Sequence, residues 1–191
     1  MKKALVFLVV GLLAIPATAI ATMEMSLGTT FNVYDEPRAE GQGRAISIIF
    51  DISDDFRAGY ITERIDNLGL RDPVTPETVH GTISIDSMMF LLKLAKVAKV
   101  NCNLGISVGN ANIIIPAGTI WAAFAESVPV FDLLARFEYT PMADKKVVGT
   151  IAVGVGYRFM DVTDVASPFG LSRPFDNLNG LIITFGAGLK F

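Results

Sequence analysis

Gly180-Leu181-Ile182-Ile183-Thr184-Phe185-Gly186-Ala187-Gly188-Leu189-Lys190-Phe191 decides the fold. Every second residue back from Phe191 is apolar: Leu189, Ala187, Phe185, Ile183 and Leu181. The residues between them are Lys190, Gly188, Gly186, Thr184, Ile182 and Gly180. A period of two marks a β-strand, here with one oily face and one small or polar face. Such a strand, apolar to its last residue, is expected to close a membrane β-barrel, because an open edge in lipid leaves backbone groups unpaired.

The other end of the chain points the same way. Met1-Lys2-Lys3 is a short positive region, Ala4 to Ile15 an apolar core, and Ala17-Thr18-Ala19 and Ala19-Ile20-Ala21 are small-x-small cleavage sites. This is the pattern of a secretory signal peptide. Cleavage is expected after Ala21, with Ala19 as the alternative, so residues 1–21 are the signal and 22–191 one domain. The formal charge is −3, or −5 without Lys2 and Lys3, and no basic patch points to nucleic acid. Cys102 is the only cysteine and His80 the only histidine. That excludes an intramolecular disulfide and a Cys/His metal cluster, and no cofactor is expected. After the signal no uncharged apolar run reaches the about 18 residues of a transmembrane helix. Yet 51% of the chain is hydrophobic. Alternating strands in an outer membrane give that apolar surface a place.

Working back from the last strand, the same alternation recurs seven times. Strand 1 is Met23–Tyr34, with Met25, Leu27, Phe31 and Val33 on the oily face. Strand 2 is about Arg44–Ile52 and strand 3 Phe56–Arg64, separated by the tight turn Ser53-Asp54-Asp55. Strand 4 is read over Gly81–Ala95. An amphipathic helix over Ser87–Val97 fits the same residues almost as well, since Lys93, Lys96 and Lys99 recur every three positions; an even-stranded barrel needs the strand. Strand 5 alternates from Val100 to Gly109, strand 6 covers about Val130–Tyr139, and strand 7 covers Lys145–Phe159. The connections read long, short, long, short, long, short, long, which puts short turns in the periplasm and long loops outside. The expected fold is therefore all-β: an eight-stranded antiparallel up-and-down transmembrane barrel behind a cleaved signal peptide.

With its terminal strand and Gly154-Val155-Gly156-Tyr157-Arg158-Phe159, the chain resembles the small eight-stranded outer-membrane barrels: the OmpA transmembrane domain, OmpX and OmpW superfamily. The resemblance covers residues 22–191. It implies an outer-membrane location, contact with outer-membrane lipids and lipopolysaccharide, and recognition by the barrel-assembly machinery through Phe185, Leu189 and Phe191. It says little about activity, because this scaffold hosts adhesins, channels, lipid-modifying enzymes and anchors.

The inward positions carry Glu24, Asp51, Arg57, Glu63, Lys93, Asp132, Arg136, Glu138, Lys146, Arg158 and Lys190, five acids and six bases. An eight-stranded lumen is just wide enough to be filled by side chains. Buried charges need partners, so these residues are expected to form a salt-bridged plug. The competing reading of the same charges is a gated, porin-like narrow pore. Lys190 is expected to meet Glu24, because strands 8 and 1 are neighbours. Inward glycines (Gly105, Gly109, Gly154, Gly156, Gly186, Gly188) are read as making room for long Arg and Lys side chains.

The connection Asn110–Pro129 is unusually oily, with Ile113, Ile114, Ile115, Ile120, Trp121 and Phe124. It reads as strand extension above the bilayer with a cap on the mouth, as an apolar entry port for hydrophobic small molecules (which OmpW resemblance would suggest), or as a surface patch for a partner. Catalysis is not expected. A serine nucleophile needs a base in hydrogen-bond reach, itself oriented by a third group; His80, Asp86 and Ser87 meet that only by assumption. The sequence thus points to a monomeric structural or surface-interaction barrel. A channel or uptake port is the alternative, and a lipid-modifying enzyme a distant one. The rival fold is a soluble lipocalin-like barrel, whose strands are apolar inside and polar outside.

Overall fold

The computed structural model describes residues 22–35, 39–71, 78–117, 123–141, 147–161 and 177–191; the signal region 1–21 lies outside them. Eight strands close on themselves in sequence order: β1 (Met23–Tyr34), β2 (Ala39–Asp51), β3 (Phe56–Arg71), β4 (Thr78–Val97), β5 (Val100–Ile115), β6 (Phe124–Tyr139), β7 (Val148–Phe159) and β8 (Gly180–Lys190). Every neighbouring pair is antiparallel, β8 with β1 included. At the seam Met23 N donates to Phe191 O at 3.2 Å, and Phe191 N donates to Met23 O at 2.8 Å. No edge is left open, as lipid demands.

The register fixes the tilt. Cross-strand partners run from Ser127 through Asn112, Ser84, Arg64, Arg44, Thr29, Phe185 and Val153, and return to β6 at Phe137, ten residues along that strand. Such a stagger over eight strands tilts them by about 40° from the barrel axis. Both described chain ends, the turns 52–55 and 98–99, the end of β6 and the start of β7 lie at one end, the turn end. The ends of β1, β3, β5 and β7 and the starts of β2, β4, β6 and β8 lie at the other, the loop end.

Residues 87–97 are strand, paired to β3 up to Leu92 and to β5 up to Val97, with a bulge between Lys93 and Ala95. The helical alternative is excluded, because the ladder on both sides satisfies the backbone. Five strands outrun their expected bounds at the loop end, β2 by beginning at Ala39 rather than about Arg44. β3 continues to Arg71, β4 begins at Thr78, β5 continues to Ile115 and β6 begins at Phe124. The strict long–short alternation of connections is corrected accordingly: 35–38 is as short as 52–55, and 116–123 is as long as 140–147.

The reason for the extra length is a change of solvent along the barrel. A transmembrane strand needs about 9–11 residues; β3, β5 and β6 have 16 and β4 has 20. Toward the turn end the exterior is apolar, with Leu27, Ile46, Phe90, Leu104, Ile106, Phe131, Leu133, Ile151 and Phe185 outward. Toward the loop end the two faces exchange character. Arg64, Asp66, Ser84, Asp86, Asn110 and Asn112 face outward, while Ile65, Leu68, Ile83, Ile85, Ala111, Ile113, Ile115, Val128 and Val130 pack inside. Hydrocarbon around the lower wall takes apolar side chains outward; water around the upper wall drives them inward. The lower part is thus a membrane barrel, and the upper part has the inside-apolar arrangement of the soluble rival.

The inward glycines also take a corrected role. A Cβ on Gly109 would lie 2.1 Å from the Asp86 carbonyl oxygen, and one on Gly156 would lie 2.3 Å from that of Leu133. Gly105 faces Leu91 and Leu134, and Gly154 faces Thr184. At these four glycines the nearest atoms belong to neighbouring strand backbones and to Ser87, Leu91, Leu134 and Thr184, while Gly186 lines a cavity together with Arg136. The glycines allow close backbone approach where the wall curves.

Candidate functional site: the lumen of the barrel

Strand alternation sends nine of the eleven expected charged residues into the lumen, where they form two separate layers. In the lower layer Arg57, second residue of β3, binds three carboxylates. Its Nε donates to Asp51 Oδ1 at 2.7 Å, Nη1 to Glu138 Oε2 at 2.6 Å and Nη2 to Glu24 Oε2 at 2.6 Å. Arg136, from the opposite wall on β6, donates Nη2 to Glu24 Oε1 at 2.5 Å and lies 3.7 Å from Glu138 Oε2. Lys190 Nζ sits 2.8 Å from Asp51 Oδ2, which also accepts from the Thr22 hydroxyl. Among the described residues three acids face three bases, and Glu24 and Glu138 are fully enclosed. In this layer the expected Glu24–Lys190 pair is corrected. Their Cα atoms are partners, but two guanidiniums reach Glu24 from other strands and Lys190 turns down to Asp51.

The upper layer is built around Arg158 of β7. Its Nε donates to Asp132 Oδ1 at 2.8 Å, Nη2 to Glu63 Oε2 at 2.8 Å and to Asp132 Oδ2 at 3.0 Å, and Nη1 to Asn32 Oδ1 at 3.0 Å. Two carboxylates meet one guanidinium, so neutral donors supply the rest. Thr30 and Asn32 donate to Glu63, and Ser107 donates to Asp132 at 2.9 Å. The charge reading passed over Thr30, Asn32 and Ser107; their inward position on the alternating strands was the available signal. Arg57 and Glu63 are six residues apart on β3, which at about 3.3 Å per residue and the tilt above separates the layers by roughly 15 Å. Between them lie Ile49, Met89, Leu91 and Leu134, the Ser26–Ser47 hydroxyl pair at 2.6 Å, and a cavity of about 50 Å³.

One expected member stands apart from this arrangement. Lys93 is corrected: its Nζ lies 3.3 Å from the Asp54 carbonyl oxygen in the β2–β3 turn, in an exposed contact. The bulge after Lys93 and the overhang of β4 beyond β3 carry it to the rim. Lys146 lies outside the described residues.

Above the upper layer the lumen is apolar. Tyr34, Ile65, Ile83, Ile85, Ile113, Ile115, Val128 and Val130 form one packed cluster, covered at the loop end by Met160 and Leu178. Leu178 N donates to Met160 O at 2.9 Å, and Met160 N donates to Asn179 Oδ1 at 2.6 Å, which holds this cover in place. Of the oily connection, Ile113 and Ile115 therefore point inward and Ile114 outward. Phe124 begins β6; Ile120 and Trp121 lie outside the described residues. The three residues weighed for catalysis do not converge. His80 and Asp86 face outward and Ser87 is buried in the lumen, while Asp86 accepts a hydrogen bond from Tyr60 Oη at 2.7 Å. Phe185, Leu189 and Phe191 all lie on the lipid face.

No family model matches this sequence, and no curated protein matches it by sequence. Solved structures match its fold. Neisserial surface protein A superimposes with a TM-score of 0.58 at 11% identity, covering 88% of this chain and 94% of that one. The outer membrane protein OprG from Pseudomonas aeruginosa gives 0.55 at 7% identity, covering 91% and 96%. Ail, the attachment invasion locus protein of Yersinia pestis, in complex with the heparin analogue sucrose octasulfate, gives 0.50 at 10% identity, covering 89% and 97%. At these identities the likeness is one of fold, and the fold is that of the small eight-stranded outer-membrane β-barrels.

Proposed function

We propose that this chain is a structural and surface-interaction barrel of the outer membrane whose lumen is closed to solutes. The observation that carries the reading is the sequence of barriers along the axis: a charge-balanced lower layer, a second charged layer and a packed apolar cluster. An ion or polar solute would have to break several buried ion pairs, each costly to leave unpaired, and then cross an apolar zone. Residues 1–21 act as the export signal, cleaved after Ala21 or Ala19. Phe185, Leu189 and Phe191 present the strand that the assembly machinery recognises. The barrel inserts as a monomer with its turn end in the periplasm, and its upper wall and loops stand outside the cell. That wall is the surface on which interaction takes place, as an exterior rich in polar side chains on an extended rigid sheet favours. No catalytic step belongs to this reading.

The test is solute passage through proteoliposomes holding the refolded mature chain. Small sugars and small hydrophobic solutes are both expected to enter no faster than into empty vesicles. Rapid entry of hydrophobic solutes that Trp121→Asp abolishes would instead make the loop end an uptake port. Loss of stability in Trp121→Asp, with no flux in either protein, fits a cap on the closed mouth.

A further inference from the structure

We infer that Lys93, Lys96 and Lys99 form a docking site at the turn-end mouth for a polymer bearing free carboxylates, the chemistry of the stem peptides of a periplasmic cell wall. A spacing of three residues puts Lys93 and Lys96 on opposite faces of a regular strand. The bulge between Lys93 and Ala95 brings them to the same face. Cross-strand partners share a face, and the row Lys96, Asn101, Glu138 runs into the lumen, as does the row Lys93, Asn103, Arg136. The row Val97, Val100, Tyr139 takes the lipid side. The bulge thus aims over the mouth an ammonium that a regular strand would aim at lipid. No carboxylate among the described residues pairs with these three charges. Lys93 Nζ donates to the Asp54 carbonyl oxygen at 3.3 Å, and Lys99 Nζ to the Pro141 carbonyl oxygen at 2.7 Å. Both acceptors are neutral and tie the β4–β5 hairpin to its neighbours on either side. Lys96 is exposed, with no hydrogen bond or ion pair among the described residues. Every described lysine stands at this end, and of them only Lys190 has an acid, Asp51. A cationic rim facing water attracts anions. The residue type selects among them. Arginine's fork matches phosphate, whereas lysine's ammonium is a point charge on a flexible stem. Three such charges along one hairpin fit separate carboxylates on a flexible chain. Lys93 and Lys96 face the mouth and not the bilayer, which favours a polymer in water over lipid headgroups.

The site rests on the orientation proposed above, which puts this end in the periplasm, and the two are tested separately. In intact cells an impermeant maleimide is expected to label Asn112→Cys and to leave Lys96→Cys unlabelled, both in a Cys102→Ser background. Labelling the other way round overturns the orientation, whatever the binding result. Binding is read by co-sedimentation of the folded mature chain in detergent with purified cell-wall sacculi and with sacculi whose carboxylates have been amidated. Inorganic phosphate and poly-glutamate serve as soluble competitors. The chain is expected to sediment with untreated sacculi and not with amidated ones. Replacing all three lysines by Gln is expected to weaken binding by about tenfold, and Lys96→Gln alone by about twofold. Replacing all three by Arg keeps the charge and most of the binding. Heat-modifiable migration on gels verifies that each variant is folded; Lys96→Gln loses no internal contact and carries the test if the triple variant does not fold. Undiminished affinity in the folded Gln variants, or equal binding to amidated sacculi, overturns the site. Displacement by phosphate more readily than by poly-glutamate also overturns it, since the rim would then suit headgroups. Poly-glutamate bound more tightly than sacculi overturns the cell-wall occupant in favour of an acidic protein segment.

Discussion

Arg57 holds three carboxylates and Arg158 holds two, so each guanidinium prevents like charges from facing one another across the lumen. Truncating one partner of a buried ion pair costs about 3–5 kcal/mol, because the remaining charge is left without compensation. Arg57→Ala is therefore expected to lower stability more than Arg136→Ala, measured as the loss of unfolding midpoint in denaturant with the protein in detergent. Unchanged midpoints for both would remove the ion-pair account of the lower layer. At the upper layer, Arg158→Met alone should destabilise by a similar amount. Combining it with Glu63→Gln and Asp132→Asn should recover most of the loss, because neutral groups of similar shape need no counter-charge. Which residues enter the lumen was legible from alternation alone, as Glu24, Arg57 and Arg158 illustrate. Which charge meets which was not. Lys190 lies beside Glu24 in register, yet the partner is chosen by side-chain reach across the lumen, and that depends on tilt and stagger.

At the scale of the element, β5 shows why part of the fold was hidden. Val108 faces out and is apolar; Asn110 faces out and is polar; Ala111 and Ile113 face in and are apolar. The strand continues with unchanged geometry, but the apolar positions shift from even to odd numbers where water replaces lipid. Read as a pattern, that shift looks like the end of a strand, so the oily stretch beyond Gly109 reads as a loop. β1 and β8, which stay within one solvent, start and stop where the alternation does. The contrast makes a prediction. Ile113 is 0% exposed and Ile114 is 57% exposed. Ile113→Ala should cost about 2–5 kcal/mol as a buried cavity, while Ile114→Ala should stay within about 0.5 kcal/mol, both from denaturant midpoints. Equal effects would contradict the exchange of faces. The β4–β5 turn offers a second check. Ala98 sits at φ 53°, a left-handed conformation that costs a residue with a Cβ about 1 kcal/mol and glycine almost nothing. Ala98→Gly should therefore stabilise the barrel by about that amount.

For the whole molecule, the two solvents explain how one closed sheet carries two opposite patterns. Lipid surrounds a wall that is apolar outside and charged inside; water surrounds a wall that is polar outside and apolar inside. The changeover lies near the upper charged layer, where Glu63, Asp132 and Arg158 are roofed by Ile65, Ile83, Val130 and their neighbours. Closure of the barrel was legible from the terminal strand, and the layers on which the proposed closed lumen rests were legible only in part. The charge balance announced a plug of ion pairs, whereas the apolar roof emerges only once β3 to β6 are extended past the bilayer. Single-channel recording in planar lipid bilayers tests the closed lumen most directly. After insertion of the folded mature chain, verified by its heat-modifiable migration, the account predicts a baseline without conductance steps. Reproducible ohmic steps from the unaltered protein would contradict it.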